Sequence, residues 1–147
     1  MAGSEDQNIN AIRALIGRQF KSLSWPQEGA PDWAGFASDF LPEAVLYASA
    51  RPARVQSTAE FSERMNKLVG ASLRSFDEKV VGTTIRVFGN VAVAVVACET
   101  VENAKDINRT VEMMLLIKDA GAWRIAAQAW DKETPSHPIT SALCETG

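Results

Sequence analysis

Gln128 and Trp130 alternate with Ala127, Ala129 and Asp131 in the run Trp123 to Lys132, so the amide and the indole share one face if that run is a strand. A glutamine in an otherwise apolar strand must find a hydrogen-bond partner. Beside an indole ring it would offer a neutral donor and acceptor to a flat, partly apolar ligand with one polar end. Pairing with the preceding strand brings Arg109, as an anchor for an anion or a carbonyl, and Met113 onto the same face. Phe20 and Phe36, from two helices, supply apolar walls. The other polar groups expected on that face are Arg124, Thr83, Cys98 and Thr100, with no carboxylate among them. That composition points to binding without acid–base turnover.

Candidates for proton transfer lie at the margins. Asp131 follows Trp130, and His137, the only histidine, is flanked by Ser136 and Pro138. Each has a plainer reading: Asp131 as a strand cap or partner contact, His137 as a surface residue. Arg51 and Arg54 flank Pro52 and Ala53 and could grip an acidic ligand, or simply form an exposed basic loop. Glu99, Glu112 and Arg86 fall on the opposite sheet face, where ion pairing or solvation accounts for them. Tyr47, alternating with Leu46 and Ala48, points away from the pocket. Cys98 and Cys144 have neither the spacing of a disulfide framework nor that of a metal site, so no metal and no cofactor is expected.

These positions depend on four consecutive strands. Val80–Phe88 and Val91–Glu102 are joined by Gly89-Asn90, and Asn108–Lys118 and Trp123–Lys132 by Asp119-Ala-Gly-Ala122, each a hairpin signal. Closing the second hairpin at Ala120-Gly121 sets Met113 opposite Gln128, Val111 opposite Trp130 and Arg109 opposite Lys132. Both faces of that hairpin then carry apolar residues. Closing the first at Gly89-Asn90 gathers Val81, Thr83, Ile85, Val87, Ala92, Ala94, Val96 and Cys98. A slip of one residue would exchange the faces.

Helices precede the strands. Ser4 and Gln7 form a capping box ahead of the stripe Ile9, Ile12, Ile16, Phe20 and Leu23, which must be buried against the sheet. Pro31 and Asp32 open a second helix ending by Leu41-Pro42, and Ala44–Ser49 reads as a short strand. Ser57 and Glu60 cap a third helix with the stripe Phe61, Met65, Leu68 and Leu73. The layout is α+β, with three N-terminal helices packed on a curved, mainly antiparallel sheet. Residues 1–133 form one domain and residues 134–147 an irregular tail.

With 147 residues, 46% hydrophobic, the chain can bury one core. A net charge of −3 argues against non-specific nucleic-acid binding. No apolar run is long enough to span a membrane, and the start Met1-Ala-Gly-Ser-Glu-Asp-Gln7 lacks the features of a secretory signal, so the expected location is cytoplasmic.

The element order, the passage Phe40-Leu-Pro-Glu-Ala-Val-Leu-Tyr47, the Phe88-Gly-Asn-Val-Ala92 hairpin and the closing Lys118-Asp-Ala-Gly-Ala-Trp-Arg-Ile-Ala-Ala-Gln-Ala-Trp130 resemble the nuclear transport factor 2-like superfamily, and within it the SnoaL-like proteins. The resemblance implies a cone enclosing a pocket, and a homodimer formed through the outer sheet face. It includes ketosteroid isomerases, in which a carboxylate base works beside a tyrosine and a neutral carboxylic acid. On that pattern Ala48 stands where the base would be and Met113 where the acid would be, and the first helix has no tyrosine. The expectation is a small-molecule-binding domain for a hydrophobic ligand. The alternatives are an enzyme (isomerase, cyclase, dehydratase or hydrolase) acting on a small cyclic or carbonyl compound, favoured by polar side chains in hydrogen-bonding reach with a shifted pKa, and a protein-interaction module.

Overall fold

The capping box at Ser4 does form: its hydroxyl accepts the Gln7 N–H at 3.1 Å while the Gln7 side chain accepts the Ser4 N–H at 2.9 Å. In the computed structural model, which describes residues 4–144, this cap opens α1 (Glu5–Leu23). Its buried face carries Ile12, Leu15, Ile16, Phe20 and Leu23, together with Gln19, which is fully buried. The expected start of the chain before Ser4 and the last three residues of the tail lie outside the described residues.

A short α2 (Trp33–Ser38) is capped by Asp32, whose carboxylate accepts the Gly35 N–H at 2.9 Å. Phe40 then begins strand β1 (Phe40–Tyr47) directly, so the second helix stops earlier than expected and the strand starts earlier. After β2 (Val55–Gln56), α3 (Thr58–Asn66) repeats the capping box with Ser57 and Glu60. It ends before Leu68, which is left exposed. Phe36, Phe61 and Trp130 pack in series: the Phe36 and Phe61 rings stack at 5.3 Å, and Phe61 meets Trp130 edge-on at 5.6 Å.

Four long strands follow: β3 (Phe76–Phe88), β4 (Val91–Glu102), β5 (Asp106–Asp119) and β6 (Ala122–Lys132). The six strands form one mixed sheet in the order β2-β1-β6-β5-β4-β3, with β1 parallel to β6 and every other pair antiparallel. Helix α1 packs on one face, and between them lies a core of Ile12, Leu15, Phe20, Phe36, Leu46, Val96, Cys98, Met114, Leu116 and Ile125. This is an α+β fold.

The β5–β6 hairpin closes at Ala120-Gly121 as expected, both residues taking positive φ (51° and 79°) and Asp119 facing Ala122. The register beyond the turn differs from expectation. Ala126 bulges out between the pairs Leu116–Ile125 and Leu115–Ala127, so Gln128 faces Met114 and Trp130 faces Glu112. A bulge puts one extra residue in one strand and changes which side chains share a face beyond it. Trp123 and Ile125 point inward before the bulge and Gln128 and Trp130 after it, while the outer face keeps apolar residues such as Met113 and Leu115 exposed. A second bulge between Val80 and Gly82 pairs Val80, not Val81, with Cys98 and sets Glu78 opposite Thr100.

Candidate functional site

The inward face of the hairpins carries carboxyl groups. Thr110, Glu112, Met114 and Leu116 of β5 are buried, and Glu112 is only 6% exposed. With Glu78 of β3, Thr100 of β4, and Gln128 and Trp130 of β6, Glu112 lines a cavity of about 170 Å³. Gln19, Leu23, Phe36, Phe61, Met65 and Phe76 add to its walls, and the exposed or partly exposed Arg64, Glu102, Asn108 and Lys132 also line it. An engineered apolar cavity of about 150 Å³ takes a benzene molecule. The volume therefore suits one ring with few substituents and falls below the several hundred cubic ångströms of an ordinary drug-sized site.

A hydrogen-bond chain crosses the floor of this space. The Gln19 Nε2 donates to Gln128 Oε1 at 2.7 Å, and Gln128 Nε2 donates to Glu112 Oε1 at 2.8 Å. The buried Gln19 Oε1 and Thr110 Oγ1, both on cavity-lining residues, have no partner among the described residues. Such groups leave hydrogen-bonding capacity unfilled at the wall.

Electrostatics follows from the burial. Water withdrawn from the Glu112 carboxyl disfavours its charged form, the nearby Glu78 adds like-charge repulsion, and only the Gln128 hydrogen bond opposes them, so its pKa is raised well above the ordinary range. Glu78 is pushed up from 4.5 to about 8, chiefly by desolvation and secondarily by Asp77. The two neighbouring carboxyls influence each other's ionisation and titrate as a pair. The Cys98 thiol is also pushed up, first by burial and then by these two carboxyls. A buried thiol of this kind is inert as a nucleophile.

The structure separates the residues singled out from the sequence. Gln128, Trp130 and Phe36 line the cavity, whereas Phe20 lies in the core and does not reach it. Met113 is 51% exposed on the outer sheet face, opposite Ala129. Arg109 is also on the outer face, where its Nε contacts Glu99 Oε2 at 3.3 Å. Both were expected inside, and the Ala126 bulge is the reason they are not. Glu112 was expected outside and is inside for the same reason. Asp131 and His137 are exposed: Asp131 accepts the Lys132 N–H, and His137 bridges to Thr134 in a local turn. Neither lines the cavity. Glu78 drew no attention in the sequence, since its inward orientation depends on the Val81 bulge. Among the described residues no cluster of three or more His, Cys, Asp or Glu could hold a metal ion.

Solved structures share this arrangement of helices and sheet. A protein of unknown function from Pseudomonas putida, itself described as NTF2-like (nuclear transport factor 2-like), superposes with a TM-score of 0.72 at 12% identity, covering 94% of this chain and 96% of the other. The fold is nuclear transport factor 2-like. Other chains with this fold include two from Novosphingobium aromaticivorans. One, provisionally assigned as a scytalone dehydratase, has a TM-score of 0.73 at 11% identity and covers 91% and 89% of the two chains. The second, provisionally assigned as an aromatic ring hydroxylase, has a TM-score of 0.72 at 12% identity over 90% and 94%. No family model and no curated protein sequence matches the chain. Within this nuclear transport factor 2-like fold, the two carboxyls with raised pKa come from β3 (Glu78) and β5 (Glu112), Arg64, Glu102 and Lys132 add further charged groups to the lining, and β1 contributes Leu46. No described helix is long and apolar enough to cross a membrane.

Proposed function

We propose that the cavity is the active site of an enzyme that moves a proton on a compound the size of a single ring, with a carbonyl as the group acted upon. The observation that carries this reading is the buried Glu112 carboxyl, held by Gln128 at 2.8 Å beside Glu78. A carboxyl kept neutral at physiological pH can donate a hydrogen bond to a carbonyl oxygen, and it does so best where charge develops on that oxygen. Glu78, titrating at about 8, is suited to take a proton from the adjacent carbon and return it. The C–H electron pair moves into a C=C bond, the carbonyl becomes an enol or enolate steadied by Glu112, and the proton resides on Glu78 until it is given back. Trp130, Phe36 and Phe61 exclude water and face the flat apolar part of the substrate.

Expectation of binding without turnover rested on an interior face free of carboxylates, which Glu78 and Glu112 contradict. The fold is shared by the dehydratase-like and hydroxylase-like proteins of Novosphingobium aromaticivorans, which is compatible with enzymatic chemistry. The outer sheet face is read as the contact with a second copy of the chain, because Val45, Tyr47, Val93, Met113 and Leu115 leave an exposed apolar surface there.

Exchange of the α-hydrogens of single-ring ketones in D2O, followed by proton NMR, tests the reading. The wild type is expected to speed exchange, with a rate that rises as pH increases through about 8 and Glu78 ionises. Glu78→Gln should lower it by about 100-fold or more. Absence of any acceleration across a panel of such ketones would sink the assignment.

A further inference from the structure

Adjoining the cavity at Arg64 lies a second, more polar depression that the proton-transfer reading leaves unused. It has a volume of about 380 Å³ and is lined by Arg51, Arg54 and Arg64, with Gln56 and Glu60 among the remaining walls. Arg64 belongs to both spaces. Its guanidinium carbon stands 5.7 Å from the centre of the Phe61 ring, and that ring meets Trp130 at the cavity wall, so the cation lies where the two spaces join.

The charges of this groove are not spent on one another. None of the three arginines forms an ion pair among the described residues. Arg51 is fixed in place by its Nη1, which donates to the carbonyl oxygens of Ala48, Ser49 and Ala50 at 3.0 to 3.3 Å. The one carboxylate present, Glu60, accepts the Ser57 N–H at 3.0 Å as part of the α3 cap. Three guanidinium groups against one carboxylate leave two positive charges facing the groove. That balance matches a phosphoryl dianion, whose oxygens suit the forked donors of arginine. A single carboxylate would leave one of the two charges unmatched.

We propose that the arginine groove binds the phosphoryl end of the substrate whose ring enters the cavity, with Arg64 marking the junction. This rests on the cavity being a ligand site. The substrate is then a small cyclic carbonyl compound carrying a phosphate ester, and the groove supplies binding energy remote from the reacting carbon.

Titration calorimetry with phenyl phosphate, phenol and inorganic phosphate separates the contributions. Phenyl phosphate is expected to bind at least tenfold more tightly than phenol, with the advantage shrinking as salt rises. Arg54→Gln, a change at an exposed position, should remove most of that advantage and leave phenol binding unchanged. Equal affinity of phenyl phosphate and phenol, or full retention of the gap in Arg54→Gln, would overturn the groove assignment while leaving the cavity reading intact. Should phenol leave the Trp130 indole NMR signal unmoved while inorganic phosphate binds in an Arg54-dependent way, the groove stands and the cavity reading fails. Circular dichroism of Arg54→Gln verifies that the variant is folded.

Discussion

Gln128 reaches diagonally across the β5–β6 pair to Glu112, donating at 2.8 Å, although its backbone partner is Met114. The same amide accepts from Gln19 of α1 at 2.7 Å, so one side chain ties the first helix to the carboxyl on the sheet.

Replacing Gln128 by Leu would leave the Gln19 amide and the Glu112 carboxyl buried without this partner. Each such loss costs roughly 1 to 3 kcal/mol, and the raised pKa of Glu112, which favours its neutral form, limits the second. The variant is expected to remain folded, lose about 2 to 3 kcal/mol in urea unfolding, and change its ligand preference. A midpoint equal to that of the wild type would mean the chain of amides carries no stability.

Glu78 makes stability fall with pH. Its folded-state pKa is about 8 against an ordinary 4.5, so between these values the folded chain holds a proton that the unfolded chain has released. Stability is therefore highest at the acid end of that window and declines as pH rises toward 8, as far as Glu78 is concerned. Glu78→Gln should flatten the decline and raise stability at pH 8 by on the order of 2 kcal/mol, a figure reduced for the partial exposure of the residue. Thermal unfolding from pH 5 to 8.5 measures this, and parallel curves for the two proteins would refute the shift.

Met113→Glu tests the outer face. Met113 is half exposed there beside Leu115, Val93 and Tyr47, and a carboxylate at its position would be desolvated by a second copy of the chain. Light scattering is expected to show a dimer for the wild type and a monomer for the variant, with the variant's own fold unaffected. A wild type that runs as a monomer at every concentration removes the proposed interface.

Much of the architecture was legible from local signals. Ser4 with Gln7 and Ser57 with Glu60 mark helix starts because their side chains satisfy backbone donors a few residues away. Ala120-Gly121 marks the turn because positive φ is cheap at glycine. Gln128 and Trp130 stand on one face because strands alternate, and an amide among apolar residues announced a need for partners that Gln19 and Glu112 meet. These features depend on neighbours in the chain, and the sequence by itself determined them.

The interior carboxyls were decided by the tertiary structure. A bulge at Ala126 moves every pairing beyond it by one residue, exchanging Met113 for Glu112 on the buried face, and the bulge at Val81 does the same for Glu78. Nothing in the alternation of a single strand announces an extra residue, since a bulge is defined by the pairing with the neighbouring strand. The raised pKa values have the same origin: a glutamate acquires them only when other elements take away its water. Local chemistry thus wrote the helices, turns and strand starts, while the register of the paired strands beneath α1 decided which acids face inward.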